Sequence, residues 1–209
     1  MLYINSPTIA RAWWDAMMIL YEQGKFIENN EIFRDSVMAI EVSDTTSDLF
    51  DDRFAMFKQD VQTINHYLVT GEGEENVVHD WTKIYRKRLF DSEPNQIQNI
   101  IEYLRKKPTG KRAQASVWQQ ATDLTGSIAP CLQLLWFQID DGKLDTHVHM
   151  RASDCYGKLL MNMNEFVALQ YYMAKELQVE PGKYYHFIDT CHFNSTDKEK
   201  IESLVTELK

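Results

Sequence analysis

Long apolar runs are missing from this chain, and no uninterrupted stretch approaches the roughly 18 residues that a membrane-spanning helix needs. Glycine (8) and proline (5) are sparse among 209 residues, which excludes collagen-like and low-complexity architectures. Cysteine is scarcer still. Three cannot all pair within one chain, so free thiols in a reducing compartment are expected. The N-terminus has no basic stretch followed by an apolar one, which points to a soluble protein of the cytoplasm. An excess of basic charge is also lacking. With 31 Asp and Glu against 22 Lys and Arg the net charge is −9, which argues against general binding along nucleic acid phosphates. Any phosphate must be held by a local cluster of cations. What is present, 44% apolar side chains, suffices for one core that removes about 70% of the unfolded surface from water. Residues 1–209 are therefore read as a single domain.

The hydrophobic spacing predicts an α+β fold, a mixed sheet packed with helices. Ser6-Pro7 is a helix-start signal, and Ile9, Ala12, Trp13, Ala16, Met17 and Leu20 repeat at helical spacing before Gly24. The stretch 31–44 reads as a strand, Phe54 to Leu68 as a helix, and the acidic 71–76 as a surface loop. Another helix starts near Ser92 and Pro94 and must end before Pro108, where KPTGKR makes a basic turn. Strands follow at Ala113–Trp118, Leu132–Ile139 and Leu144–Met150, the last two forming a hairpin across Asp-Asp-Gly-Lys. In the second hairpin strand Asp145, His147, His149 and Arg151 share the polar face. A long helix from Asn162 to Leu177, a turn at Pro181-Gly182, a strand Tyr184–Ile188 and a final helix opened by Thr196 with Glu199 complete the reading.

Cys131 follows a proline at the mouth of a strand. Such a cysteine is either a small buried hydrophobe or a nucleophile, and the nucleophilic reading needs cations that favour the thiolate. Arg112 and Arg151, expected on neighbouring strands, supply them. His147 and His149 could ligate a metal with Cys191 and His192, or simply pack in a polar pocket. Cys155 and Cys191 are read as structural. Lys107, Lys111 and Arg112 form a solvated face unless an anion docks there.

From Lys107 to Asn194 the ordered elements KPTGKR, SVWQQATDL, APC, RASD, Asn162 and PGKYYHFIDTCH resemble thymidylate synthases. The spacing agrees: Arg112 lies nineteen residues before Cys131, Arg151 twenty after, Asn162 thirty-one after and His192 sixty-one after. The opening ARAWWDAM and the segment WTKIYRKRLF match more loosely, and the length is similar to compact archaeal-type members. The resemblance implies an enzyme, a methyltransferase that forms dTMP from dUMP with 5,10-methylenetetrahydrofolate as carbon donor and reductant, and no metal. It implies a homodimer through the sheet that shares its phosphate site, with Lys111 and Arg112 reaching the neighbouring subunit's phosphate. Cys131 is then the nucleophile that adds to carbon 6 of uracil. Tyr85 and Asp154 complete the catalytic set. Arg151 and Arg34, the latter expected in the loop after the first helix, contact phosphate; Ser153, Asn162 and His192 bind phosphate, base and sugar. The Asn162 carboxamide suits the O4 and N3–H of uracil, where a carboxylate would suit cytosine.

Departures from the family pattern accompany the match. Lys111 replaces an arginine, Ala152 stands where the phosphate serine is usual, with Ser153 one position later, and Asn194 replaces the sugar-reading tyrosine. Asp189-Thr190 replaces a Gly-Asp pair, and Arg86 introduces a bulky cation beside Tyr85. No residue matches the family's catalytic glutamate; Asp60, Asn65 and Glu72 lie near its expected stretch. The chain stops fifteen residues after Asn194, so another element is expected to cover folate. These departures keep two alternatives open: a 5-hydroxymethylase of a pyrimidine nucleotide (dUMP, UMP or CMP), in which water rather than hydride ends the reaction, and a nucleotide-binding paralogue without turnover.

Overall fold

A computed structural model describes residues 1–27 and 31–206. The N-terminal strand β1 (Leu2–Ser6) leads into helix α1 (Ile9–Gln23), and the short β2 (Lys25–Phe26) and long β3 (Ile32–Val42) follow. Three helices come next: α2 (Lys58–Thr70), α3 (Asp80–Leu89) and α4 (Gln96–Lys106). After β4 (Gln114–Ser116) and the single turn α5 (Gln120–Asp123), the hairpin β5 (Leu132–Asp140) and β6 (Lys143–Met150) forms as expected. The chain finishes with β7 (Ser153–Asp154), α6 (Leu159–Leu177), β8 (Glu180–Asn194) and α7 (Lys198–Thr206). The sheet order is β1-β3-β8-β6-β5-β4, with β2 on β3 and β7 on β8. Both parallel neighbours on the main path, β1 with β3 and β6 with β8, are joined through a helix, α1 and α6 respectively, as a parallel connection requires. This is the mixed α+β sheet the sequence predicts.

Helix α6 buries thirteen of its residues, including Asn162, Asn164 and Glu165, because it lies between the sheet and α2. Alternation on the strands divides the sheet into two faces. Leu144, Thr146, Val148 and Met150 are buried under the helices, while His147 and His149 line up with Trp136, Tyr185 and Phe187 on the other face. Among the described residues no helix is long and apolar enough to cross a membrane.

Several boundaries differ from the expected ones. Helix α1 is capped by Thr8, which accepts from Arg11 N, because the Ser6 hydroxyl at the end of β1 is turned to Asp15. Phe54 precedes α2 by four residues; it sits in a turn closed by the Asp51 carbonyl and packs edge-on against Trp13. Pro181 and Gly182 lie inside β8 rather than in a turn. The ladder with β6 skips register there, and a side chain on Gly182 would collide with Asp145 and the Leu144 backbone. β8 then runs on six residues past Ile188 through Asn194, which carries His192 to the site. Thr196 lies in a 3-10 turn (Ser195–Asp197) ahead of α7, and 74–76 of the acidic loop forms another. Arg34 is within β3, as the strand reading of 31–44 has it, and not in the loop after α1.

Arg88 of α3 makes a two-pronged contact with the buried Asp123, and its Nη1 also donates to the Val117 carbonyl at 2.7 Å. The guanidinium holds the Asp123 carboxyl down at about 2. The pair ties the helix bearing Tyr85 to the segment leading into Cys131. Removing one partner strands a buried charge, so Asp123→Ala should cost about 3 kcal/mol, read as a lower urea midpoint at constant m; an unchanged midpoint would contradict this.

Candidate active site

One cavity of about 240 Å³ is lined by Trp81, Tyr85, Cys131, Ala152, Ser153, Asp154, Lys158, Asn162, His192 and Asn194. Six of the ten residues singled out from the sequence therefore meet in one place, delivered by α3, the head of β5, β7, α6 and β8. Cys131 stands just before β5. Its loop is strapped by Arg151, whose backbone N–H donates to the Cys131 carbonyl at 2.9 Å while Nε and Nη2 donate to the carbonyls of Pro130 (3.1 Å) and Ala129 (3.0 Å). The buried Tyr85 hydroxyl accepts from Leu132 N at 3.3 Å. Burial pushes the Cys131 thiol above its usual 9.0, and Arg151 pulls it only part of the way back. The expectation that cations dominate this thiol is thus corrected: desolvation wins in the free protein.

Across the cavity, β7 runs parallel to β8, with Ser153 beside Cys191 and Asp154 beside His192. Asp154 accepts from the N–H groups of Tyr156 (3.1 Å) and Gly157 (3.0 Å) and from Asn194 Nδ2 (2.9 Å). A Cβ on Gly157 would lie 2.4 Å from the carboxylate, so only glycine lets it turn back on the backbone. Burial raises the Asp154 carboxyl, with Gly157 and His192 opposing. His192 Nδ1 faces the Thr190 carbonyl at 3.3 Å, and since that oxygen can only accept, Nδ1 carries the proton. Ser153 Oγ is buried without a partner, a hydroxyl free to meet a ligand.

Sequence reasoning missed Glu165, Lys158 and Trp81. Glu165 is fully buried, and its Oε2 accepts from Asn162 Nδ2 at 3.2 Å. Burial lifts its carboxyl from an ordinary 4.5 to about 7, against the pull of Thr82 and Asn162. The available signal was the one charged side chain among residues 159–174, three positions after Asn162 and hence on the same face. Lys158 Nζ lies 3.3 Å from His79 Nε2 and 5.3 Å from the Trp81 ring centre. His79 stacks on Trp81 at 5.0 Å and 17°.

Four predicted residues stand outside the cavity wall. Arg151 is at its rim through the strap described above. Arg34 turns its Nη1 to the Gly24 carbonyl (3.1 Å) between Tyr21 and Phe26, with Nε buried and unpartnered. Lys111 and Arg112 are exposed in the turn before β4 rather than on a strand beside Cys131. Phe137 N bonds to the Ala113 carbonyl, so Arg112 sits six residues along β5 from Cys131, about 20 Å away. Arg86 also points elsewhere, donating to the Leu68 carbonyl at the end of α2 and covering Phe90. His147 is packed between Tyr185 (4.4 Å, stacked) and Trp136 (4.8 Å, edge-on), and His149 pairs with Asp189 at 2.9 Å. Among the described residues no three His, Cys, Asp or Glu could hold a metal ion.

The sheet-supported cavity thus gathers a cysteine strapped by Arg151, the buried Asn162 carboxamide and the half-buried Lys158. The thymidylate synthase family model matches residues 48–208, and the chain belongs to that family. It is similar to archaeal relatives each named "Putative thymidylate synthase": 27% identity over 207 residues in Methanosarcina acetivorans (97% of this chain, 94% of the relative) and 25% over 205 residues in Methanosarcina barkeri (97% and 94%). In Methanocaldococcus jannaschii the identity is 28% over 208 residues (92% and 90%). The flat Trp81 ring, backed by His79, and the Lys158 donor in the cavity lining fit the planar heteroaromatic ring of a folate. A cavity of 240 Å³ falls below the roughly 300–1,000 Å³ of complete ligand pockets.

Alkylation of Cys131 by iodoacetamide should keep accelerating as pH rises through about 9, and Arg151→Gln should slow it further at about pH 8; a plateau below pH 8 would contradict the burial effect. Glu165 holds its proton more tightly folded than unfolded, so its contribution to stability falls as pH rises from about 4.5 through about 7. Glu165→Gln should therefore gain relative to the parent between about pH 5 and pH 8 in urea midpoints. A difference independent of pH would contradict the raised carboxyl.

Proposed function

We propose that this chain reductively methylates carbon 5 of dUMP, giving dTMP and dihydrofolate, and that it does so as a cytoplasmic homodimer. The observation that carries this reading is the convergence of Tyr85, Cys131, Ser153, Asp154, Asn162 and His192 from five separate elements into one cavity. Cys131 loses its proton and its sulfur bonds to carbon 6 of the ring, which leaves electron density on carbon 5 and O4; a soft sulfur suits this electron-poor double bond. Arg151, held against the loop that carries Cys131, meets the substrate phosphate and favours the thiolate. Asn162 reads O4 and N3–H, His192 meets the sugar hydroxyl, and Asp154 orients the base through its neighbouring main chain. Tyr85 holds the first amide of β5 behind the nucleophile. Ser153 is assigned to phosphate; Arg34, turned to the Gly24 carbonyl outside the cavity, would have to leave that contact to join it.

5,10-Methylenetetrahydrofolate, when bound, supplies the one-carbon unit and the hydride. Trp81 and Lys158, both in the cavity lining, would hold its ring. Lys111 and Arg112 cannot reach their own cavity, which supports their assignment to the partner's phosphate. The uncovered face, where Trp136, His147 and Tyr185 lie in register across three strands, is the surface through which two copies meet. One second reading, hydroxymethyl transfer, is favoured by the polar groups of Lys158, His192 and Asn194 around the cavity, which suit a held water.

Incubation with dUMP and 5,10-methylenetetrahydrofolate, followed by mass analysis of the nucleotide, should show an added methyl group, and Cys131→Ala should reduce it to background with folding intact. An added hydroxymethyl supports the second reading; no added mass contradicts both. Sedimentation at micromolar concentration should give a dimer, and Tyr185→Glu a monomer with weakened nucleotide binding. A monomer that binds dUMP as well as the parent would contradict the shared phosphate site.

A further inference from the structure

We propose that Glu165 is a positioning residue that sets which way round the Asn162 carboxamide faces the pyrimidine, and thereby selects uracil over cytosine. The inference rests on the nucleotide reading above and names the source of its base selectivity. Asn162 lines the cavity; Glu165, one turn along α6, lies behind it with no exposed surface. The two meet through Asn162 Nδ2 and Glu165 Oε2 at 3.2 Å.

A carboxamide has two faces that differ only by exchange of oxygen and nitrogen, so on its own it can pair with uracil or, turned over, with cytosine. To pair with uracil it accepts from N3–H with Oδ1 and donates to O4 with the N–H lying on the same side as Oδ1. The second N–H points away from the ring. An ionised carboxylate can only accept, so Glu165 takes that second N–H and holds the uracil-reading orientation. Turning the amide over would set Oδ1 against a carboxylate oxygen where both side chains are buried, which is an unfavourable place for two acceptors to face.

The remaining surroundings leave Glu165 free to act in this way. Its Oε1 has no hydrogen-bond partner; the Thr82 hydroxyl from α3 is close enough to favour the charged form yet makes no bond of normal geometry and is itself unpartnered. The titratable groups facing it are Tyr85 from α3 and Tyr184 from β8, both kept neutral by burial, with the Tyr184 hydroxyl at 3.0 Å from His186 Nδ1. The raised carboxyl of Glu165 places its proton exchange near neutrality. Once protonated it can donate to Oδ1, the turned-over amide becomes tolerable, and the distinction between bases weakens.

The test is equilibrium binding of dUMP and of dCMP, without folate, to the full-length parent and to Glu165→Gln. The parent should prefer dUMP. Glutamine offers both a donor and an acceptor, so the variant should narrow the ratio of the two dissociation constants by about tenfold or more, chiefly by tightening dCMP. A variant that weakens both nucleotides equally, with the ratio unchanged, has lost only structural support and overturns the proposal. Independently of whether that variant folds, the parent's ratio should shrink as pH is lowered from about 8 to about 6, because the phosphate titration near pH 6 is common to both ligands and cancels. A ratio flat over that range overturns the proposal as well. A parent that binds neither nucleotide contradicts the proposed function itself, whereas one that prefers dUMP with an indifferent Glu165 contradicts this inference alone.

Discussion

The parallel pairing of β7 on β8, only two residues long, forces the chain leaving β6 to turn sharply past the Cys131 loop and enter α6 beside it. Around that turn every group of the cavity finds its place. Arg151 at its start binds three carbonyls of the loop 129–131, Asp154 at its end is met by Asn194 from β8, and Asn162 follows within the first turn of α6. Two backbone ladders and one guanidinium thus position a thiol, a carboxylate and a carboxamide that are far apart in the chain. A side chain at Gly157 would drive Asp154 out of this arrangement, which ties a single small residue to the geometry of the whole site.

The electrostatics of the cavity are dominated by burial rather than by attraction between charges. Cys131, Tyr85, Asp154 and Glu165 are all pushed toward their neutral forms, and Lys158 and His79 toward theirs. A site made of reluctant charges is suited to a substrate that brings its own. Under the proposed function, a phosphate dianion meeting Arg151 and a ring that accepts the sulfur would supply the compensation that the free protein lacks.

Much of this was legible in the sequence because it is local. The periodicity of 9–20, the hairpin 132–150 and the apolar stripe of 97–104 each specify their own element, and the spacing of Arg112, Cys131, Arg151, Asn162 and His192 carried the family, with Cys131, Asn162 and His192 meeting in the cavity. What escaped depended on tertiary context. Residues 2–6 gain their strand only by pairing with β3, and 180–194 form one long strand only because β6, β7 and β3 flank different parts of it. Arg86 reads as a cation beside the site until the end of α2 is seen to take it. Glu165 does not stand out until the Asn162 amide is seen to bond to it, since a single buried carboxylate on a helix carries no motif.

The central claim is that the Cys131 sulfur adds to carbon 6 of a bound pyrimidine nucleotide and so makes carbon 5 nucleophilic. Proton exchange at carbon 5 isolates that step from everything contributed by folate. With dUMP and the protein in heavy water, the nuclear magnetic resonance signal of the carbon 5 hydrogen should decay to deuterium at a rate proportional to protein concentration, and Cys131→Ala should abolish the decay. A signal that persists with the parent protein at saturating dUMP, or one that decays equally with the cysteine removed, would contradict the account.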